Sequence, residues 1–104
     1  MFANTPKPPY YAVIFTSTFK GQDPSYESVA ERMVELAQLE PGFLGIESAR
    51  NEIGITVSCW RDIASIKQWK ANAEHKVAQQ QGKHDWYTGY KVHICLVERD
   101  YQYI

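Results

Sequence analysis

Residues Tyr10 to Phe19, YYAVIFTSTF, constrain the chain more than any other stretch. They have strand length and strand composition. Yet they do not alternate, because every residue from Tyr10 to Phe15 is apolar or aromatic. A strand of this kind must be covered on both faces. In a chain of 104 residues, one layer of helices covers only one of them. The other face needs a second copy, so the sequence predicts a homodimer.

The remaining composition narrows the class. Lys and Arg number 11 against 12 Asp and Glu, giving a net charge of −1 with both signs interspersed. No basic face points to nucleic acid, and none points to an acidic membrane surface. The apolar runs fall far short of the roughly 18–20 residues of a membrane span. Residues 1–9 hold three of the five prolines and read as an extended arm, either a disordered leader or a segment crossing a partner subunit. They have no basic start followed by an apolar run, so they do not read as a signal peptide. Residues 10–104 read as a single domain. Two cysteines make no disulfide framework, and the expected compartment is a reducing cytoplasm.

Taken in order, the first strand is followed by Asp23-Pro24, an N-cap with proline at the first helical position. The helix carries Tyr26, Val29, Ala30, Met33, Leu36 and Ala37 on one stripe, and Pro41-Gly42 ends it. Phe43–Arg50 is a second strand in which Gly45 marks a bulge or a close backbone approach. Asn51 to Gly54 is a hairpin turn into a third strand, Ile55–Trp60. Asp62 caps a second helix with apolar residues at Ile63, Ile66, Trp69 and Ala73. On a straight helix His75 falls opposite that side. A break at Asn72 instead puts Ala73, Val77, Gln80, His84 and Tyr87 on one stripe, with His75 and Trp86 on the next. Tyr90–Arg99 is the last strand. The order βαββαβ predicts a ferredoxin-like α+β fold, an antiparallel sheet in the order 4-1-3-2 with both helices on one face. Cys59 and Cys95 then flank the first strand at about 9–10 Å, beyond the roughly 7 Å Cα reach of a disulfide.

The stretches Pro41-Gly42-Phe43-Leu44-Gly45, Gly54-Ile55-Thr56-Val57-Ser58-Cys59-Trp60 with Arg61-Asp62, Ile66-Lys67-Gln68-Trp69-Lys70, Ala73-Glu74-His75, Trp86-Tyr87 and Val97-Glu98-Arg99 together resemble the antibiotic biosynthesis monooxygenase family of the dimeric α+β barrel superfamily. The start, Pro8-Pro9-Tyr10-Tyr11-Ala12-Val13-Ile14-Phe15, is similar to an uncharacterised bacterial branch of that family. The resemblance implies homodimers whose sheets face each other to close a barrel, with a ligand pocket between the helices and sheet of each subunit. It also implies one of two chemistries. Some relatives oxidise anthrones or quinols with no cofactor, and others degrade heme. The heme branch places its ligating histidine ten residues after the tryptophan matched by Trp69, and that position here is Gln79. It also uses an asparagine on the first strand, and this strand has none.

The expected function is therefore cofactor-independent monooxygenation of a small aromatic or quinol-like compound. The alternatives are a heme-binding, heme-degrading enzyme with altered ligation, or a non-catalytic ligand-binding dimer. Cofactor-free oxygenation needs a pocket that desolvates an electron-rich ring and a group that takes its proton. Trp69 and His75 are the catalytic candidates, histidine because it titrates near neutrality. Trp60, His84, Trp86 and Tyr87 are candidates for substrate binding. The bland reading of the tryptophans is core, and of the histidines a surface or half-buried position. Arg50 and Arg61 could orient an anion, but as arginines near strand ends they read first as solvent-exposed ion-pair partners. No metal-ligand spacing links the three histidines, and no phosphate loop or nucleophile elbow is present.

Overall fold

The computed structural model describes residues 2–21, 25–72 and 86–104. The elements are β1 (Tyr10–Phe19), α1 (Ser25–Gln38), β2 (Phe43–Arg50), β3 (Gly54–Trp60), α2 (Ile63–Ala71) and β4 (Tyr87–Val97). All strand pairs are antiparallel, in the order β2-β3-β1-β4. This is the ferredoxin-like α+β fold that the pattern predicts. The expected cap Asp23 and the histidines His75 and His84 lie outside the described residues.

Register assigns the two faces. Because side chains alternate, Tyr11, Val13, Phe15, Ser17 and Phe19 of β1 share one face with their partners Trp60, Ser58 and Thr56 of β3. Leu96, Ile94, Val92 and Tyr90 of β4 belong to the same face. Both helices cover it. Ala37 of α1, Trp60 of β3 and Ile66 of α2 form the buried core, with Tyr11, Val13, Phe43, Ile63 and Trp69 packed around them. The stripe read on α1 is the inward one, since Glu27, Glu31, Arg32 and Glu35 are exposed. At Gly42 a side chain would collide with Ser65, so β2 can enter the sheet directly against the first turn of α2. The Gly42 carbonyl also accepts from the Arg61 N–H at 2.7 Å.

Both boundaries of β4 moved for backbone reasons. β4 begins at Tyr87 rather than Tyr90, because Gly89 still pairs with Thr18 and a Thr18–Thr88 hydroxyl contact of 2.6 Å bridges the strands. Ladder pairing needs no apolar side chains, so Thr88 and Gly89 hid this turn of the strand. β4 stops at Val97 because its partner Tyr10 is preceded by Pro8-Pro9, which offer no N–H donors. Both readings of Gly45 hold. The β2–β3 register shifts between Phe43 and Gly45, and a Cβ on Gly45 would stand 2.7 Å from the Ala3 methyl.

The far face of the sheet carries Tyr10, Ala12, Ile14 and Thr16 of β1. Cys59, Val57 and Ile55 of β3 and Cys95 and His93 of β4 lie beside them. Here the arm lies against its own chain at Ala3 and Thr5. Ala3 N–H donates to Glu47 at 2.8 Å, and Thr5 Oγ1 meets the Tyr10 hydroxyl at 3.1 Å. That hydroxyl in turn donates to Asp100 at 2.5 Å. Tyr10, Ala12 and Cys59 are buried, while Ile55 remains 43% exposed. The far face is thus covered at the arm's end and open at the other. Cys59 and Cys95, both paired in register with Ala12, are free thiols.

Helix α2 is set by its ends. Asp62 has extended backbone, and its carboxylate accepts the Ser65 N–H at 2.7 Å. At the other end Asn72 leaves helical geometry with ψ of 130° and caps the helix, its N–H donating to the Trp69 carbonyl. The two hydrogen bonds from Ser65, then Arg61, hold the Asp62 carboxyl below its ordinary range. A lowered pKa gives stability that is full above the unfolded value, near 3.8, and is lost as pH falls through the folded one. Asp62→Ala is expected to lower the thermal midpoint at pH 7, with the gap to wild type closing below about pH 4, as calorimetry across that range would show.

Candidate functional site

Two aromatic groups stand on the helix side of the sheet. The first is rooted in the core. Trp60 is 1% exposed and meets Phe43 edge-on with centroids 5.3 Å apart. Its indole N–H is satisfied by Ser58 Oγ at 3.0 Å. Trp69 stacks on it at 6.0 Å and is half-buried. Trp60 therefore acts as a buried backing, and Trp69 is the member of the pair that reaches the surface. This follows from position. Trp60 is the last residue of β3 and points under both helices, whereas Trp69 sits in the last turn of α2.

The second group forms where β1 ends and β4 begins. Phe19 lies 4.7 Å from Tyr26 of α1 and 5.6 Å from Tyr87. Phe15 lies 5.5 Å from Tyr87 and 5.3 Å from Tyr90. Trp86 is 4% exposed, meets Tyr26 edge-on at 5.2 Å and donates its indole N–H to Ser25 at 3.4 Å. The Tyr87 hydroxyl donates to that of Tyr26, also at 3.4 Å. Alternation on β1 puts Phe15 and Phe19 on one face, and the early start of β4 brings Tyr87 and Tyr90 alongside. Of the site residues expected from sequence, the structure brings Trp86 and Tyr87 together here and Trp60 and Trp69 together in the first group.

Sequence reasoning missed Phe15, Phe19, Tyr26 and Tyr90 as companions of Tyr87. The signal was the aromatic at every fourth position of β1, Tyr11, Phe15 and Phe19, with Tyr87 and Tyr90 on β4, and it becomes a cluster only once the register is known. It also misread one arginine. Arg61 pairs with Asp62 at 3.2 Å, as a strand-end ion pair should. Arg50 pairs with no carboxylate among the described residues; it donates to Ser17, and its Cζ stands 3.5 Å from the centre of the Phe19 ring.

Beside these rings β4 presents an apolar stripe that the described chain leaves open. Tyr90, Val92, Ile94 and Leu96 are 40–54% exposed, all on the helix side. The arrangement suits a flat apolar ring laid against the sheet, with phenols and a guanidinium at one end. A different groove, of about 870 Å³, runs between the arm and residues 98–103, and its walls include the fully exposed Tyr101 and Tyr103. Among the described residues no group of three His, Cys, Asp or Glu side chains could hold a metal ion. No described helix is long and apolar enough to cross a membrane.

The antibiotic biosynthesis monooxygenase family matches residues 9–81, most of the chain. An uncharacterised Bacillus subtilis protein, YqjZ, is 46% identical over 99 residues, covering 93% of this chain and 87% of its own length. This chain therefore belongs to the antibiotic biosynthesis monooxygenase family. Solved structures share the fold at low identity. SnoaB from Streptomyces nogalater, a cofactor-independent oxygenase, superposes with a TM-score of 0.76 at 14% identity, covering 89% of this chain and 97% of its own. Protein SO0527 from Shewanella oneidensis gives 0.76 at 13% identity, covering 86% of this chain and 91% of its own.

Burial, followed by the hydrogen bond to Tyr26, pushes the Tyr87 phenol well above its ordinary value of 10.0. At neutral pH it is a hydrogen-bond donor rather than a base. The same shift has a consequence for stability. Below pH 10 the phenol is neutral in both states and its contribution is full. Above that value the unfolded chain loses the proton while the folded chain keeps it, so stability falls as pH rises. Tyr87→Phe keeps the ring contacts, and denaturant titrations between pH 9 and about 11 are expected to show a shallower alkaline loss than in wild type.

Proposed function

We propose that the protein is a cofactor-independent monooxygenase for a small aromatic or quinol-like compound, bound between the helices and the sheet. The observation that supports this most directly is the open apolar stripe of β4 beside the Phe15–Phe19–Tyr26–Tyr87 rings. A flat aromatic ring is the ligand such a surface desolvates best. In this reading the ligand is both substrate and reductant. A base removes a proton from the ring system, and the resulting carbanion reduces oxygen. For an anthrone-type methylene, one oxygen atom becomes the new carbonyl and the other leaves as water. Family membership and the fold shared with SnoaB support the chemistry.

Trp69 is the proposed platform, since it is the half-exposed partner of the buried Trp60. His75, three residues beyond the end of α2 at Asn72, is the proposed base. His84 and Tyr87 complete the proposed binding residues, with Trp60 as the buried backing of Trp69 and Trp86 buried against Tyr26. Oxygen-electrode assays with a panel of anthrones and quinols are expected to show uptake by the purified protein with no added cofactor. His75→Ala is expected to slow it by about 10²–10⁴-fold, and Trp69→Ala to abolish it. Unchanged turnover in both variants would remove the assignment. A saturable Soret shift on adding hemin, followed by bleaching with a reductant in air, would replace this reading with heme degradation.

The same reading makes the protein a cytoplasmic homodimer joined through the far faces of the two sheets. The support is the open end of that face, where Ile14, Ile55 and Val57 are half-buried or exposed. Sedimentation is expected to report a mass near twice the 12.0 kDa of one chain. Ile55→Glu, at a position already 43% exposed and so tolerant of charge in a single chain, is expected to give monomers.

A further inference from the structure

At the end of the sheet farthest from Trp60, one row of residues crosses all four strands on the helix side. It runs Arg50, Gly54, Ser17, Tyr90. The glycine is the key to the row. A Cβ built on Gly54 would overlap the guanidinium of Arg50, so the missing side chain is the space that Arg50 occupies. The arginine therefore lies across β3 instead of extending into solvent from the edge strand. It donates from Nη2 to the hydroxyl of Ser17, which is 2% exposed.

The surroundings of the guanidinium are aromatic. Its Cζ stands 3.5 Å from the centroid of Phe19 and 5.9 Å from that of Tyr26. Arg32 and Arg61 each hold a carboxylate, at 3.4 and 3.2 Å, but Arg50 holds none among the described residues. A guanidinium presents several N–H donors in a planar fork, and of the described residues only Ser17 accepts one. The residue as a whole is solvent-accessible. The rings hold the cation in place by cation–π attraction without neutralising its charge.

We infer that Arg50 is a specificity-determining residue of the helix-side site, selecting aromatic ligands that carry a planar oxyanion, a carboxylate or an enolate. The inference rests on the proposed aromatic site and adds to it the charge of the ligand. The oxyanion takes the fork of Arg50, and the attached ring lies against Phe19 and Tyr87. The Tyr26–Tyr87 hydroxyl pair stands next to it. A cation at this point also favours the ionised, electron-rich form of a phenol or anthrone over its neutral form.

A matched pair of probes tests the inference by binding, independently of turnover. 2-Naphthoate and 2-naphthamide have the same ring and differ in charge, and tryptophan fluorescence or calorimetry reads their affinity. Wild type is expected to bind the carboxylate about tenfold or more tightly than the amide. Arg50→Gln is expected to bring the two affinities together by weakening the carboxylate alone. Gly54→Ala, which fills the space under the guanidinium, is expected to do the same while leaving all charges in place. Thermal melts of each variant verify folding. Equal affinities in wild type, or a carboxylate preference that survives in both variants, would overturn the inference while leaving the aromatic site standing. Failure of wild type to bind either probe would overturn the aromatic site along with it.

Discussion

Strand β1 is hydrogen-bonded on both edges, to β3 and to β4, and apolar on both faces. Every other element follows from covering it. On one side α1 and α2 supply Ala37 and Ile66 over Trp60, Tyr11 and Val13. On the other side no described helix packs, and the arm reaches back only over the end of the face where Tyr10, Ala12 and Cys59 are buried. The two halves of that face differ in consequence. The end near Tyr10 is closed by the chain itself, and the end near Ile55 is left to water or to a second copy.

The helix side is divided along its length as well. Near the start of β2 and the end of β3 it is a packed core, with Trp60 sealed beneath Trp69. At the opposite end, rings from β1, α1 and β4 gather around Phe19 and Tyr87 with their hydroxyls and a guanidinium among them. Packing of the first kind supplies stability, because its polar atoms are few and already satisfied. Packing of the second kind leaves polar groups among the rings, where the polar atoms of a ligand can meet them.

The contrast between Arg50 and Arg61 shows how one residue type takes two roles. Arg61 stands just past the end of β3, beside the capping Asp62, and pairs with it in solvent. Such a pair contributes little to stability. Arg50 stands at the end of β2 with a glycine as its cross-strand neighbour, and it folds inward over a buried serine. The difference lies in the neighbour rather than in the arginine.

Much of this was legible in the chain alone. Strand-length apolar runs and period-three-to-four patterns located the six described elements, Asp62 announced the start of α2, and Gly45 announced an irregularity in β2. These are local properties, set by backbone hydrogen bonding, steric limits and the spacing of apolar side chains. Sequence could not say that Arg50 faces Gly54 and Ser17, that Phe15 and Tyr90 share a face, or that the arm returns to its own sheet. Those facts depend on register between strands distant in sequence. A one-residue slip would turn each of these side chains to the opposite face. The sequence by itself determined which segments become strands and helices and that one strand must be hidden on both sides. Only the tertiary structure decided which side chains meet, because long-range pairing, not local pattern, sets those neighbours.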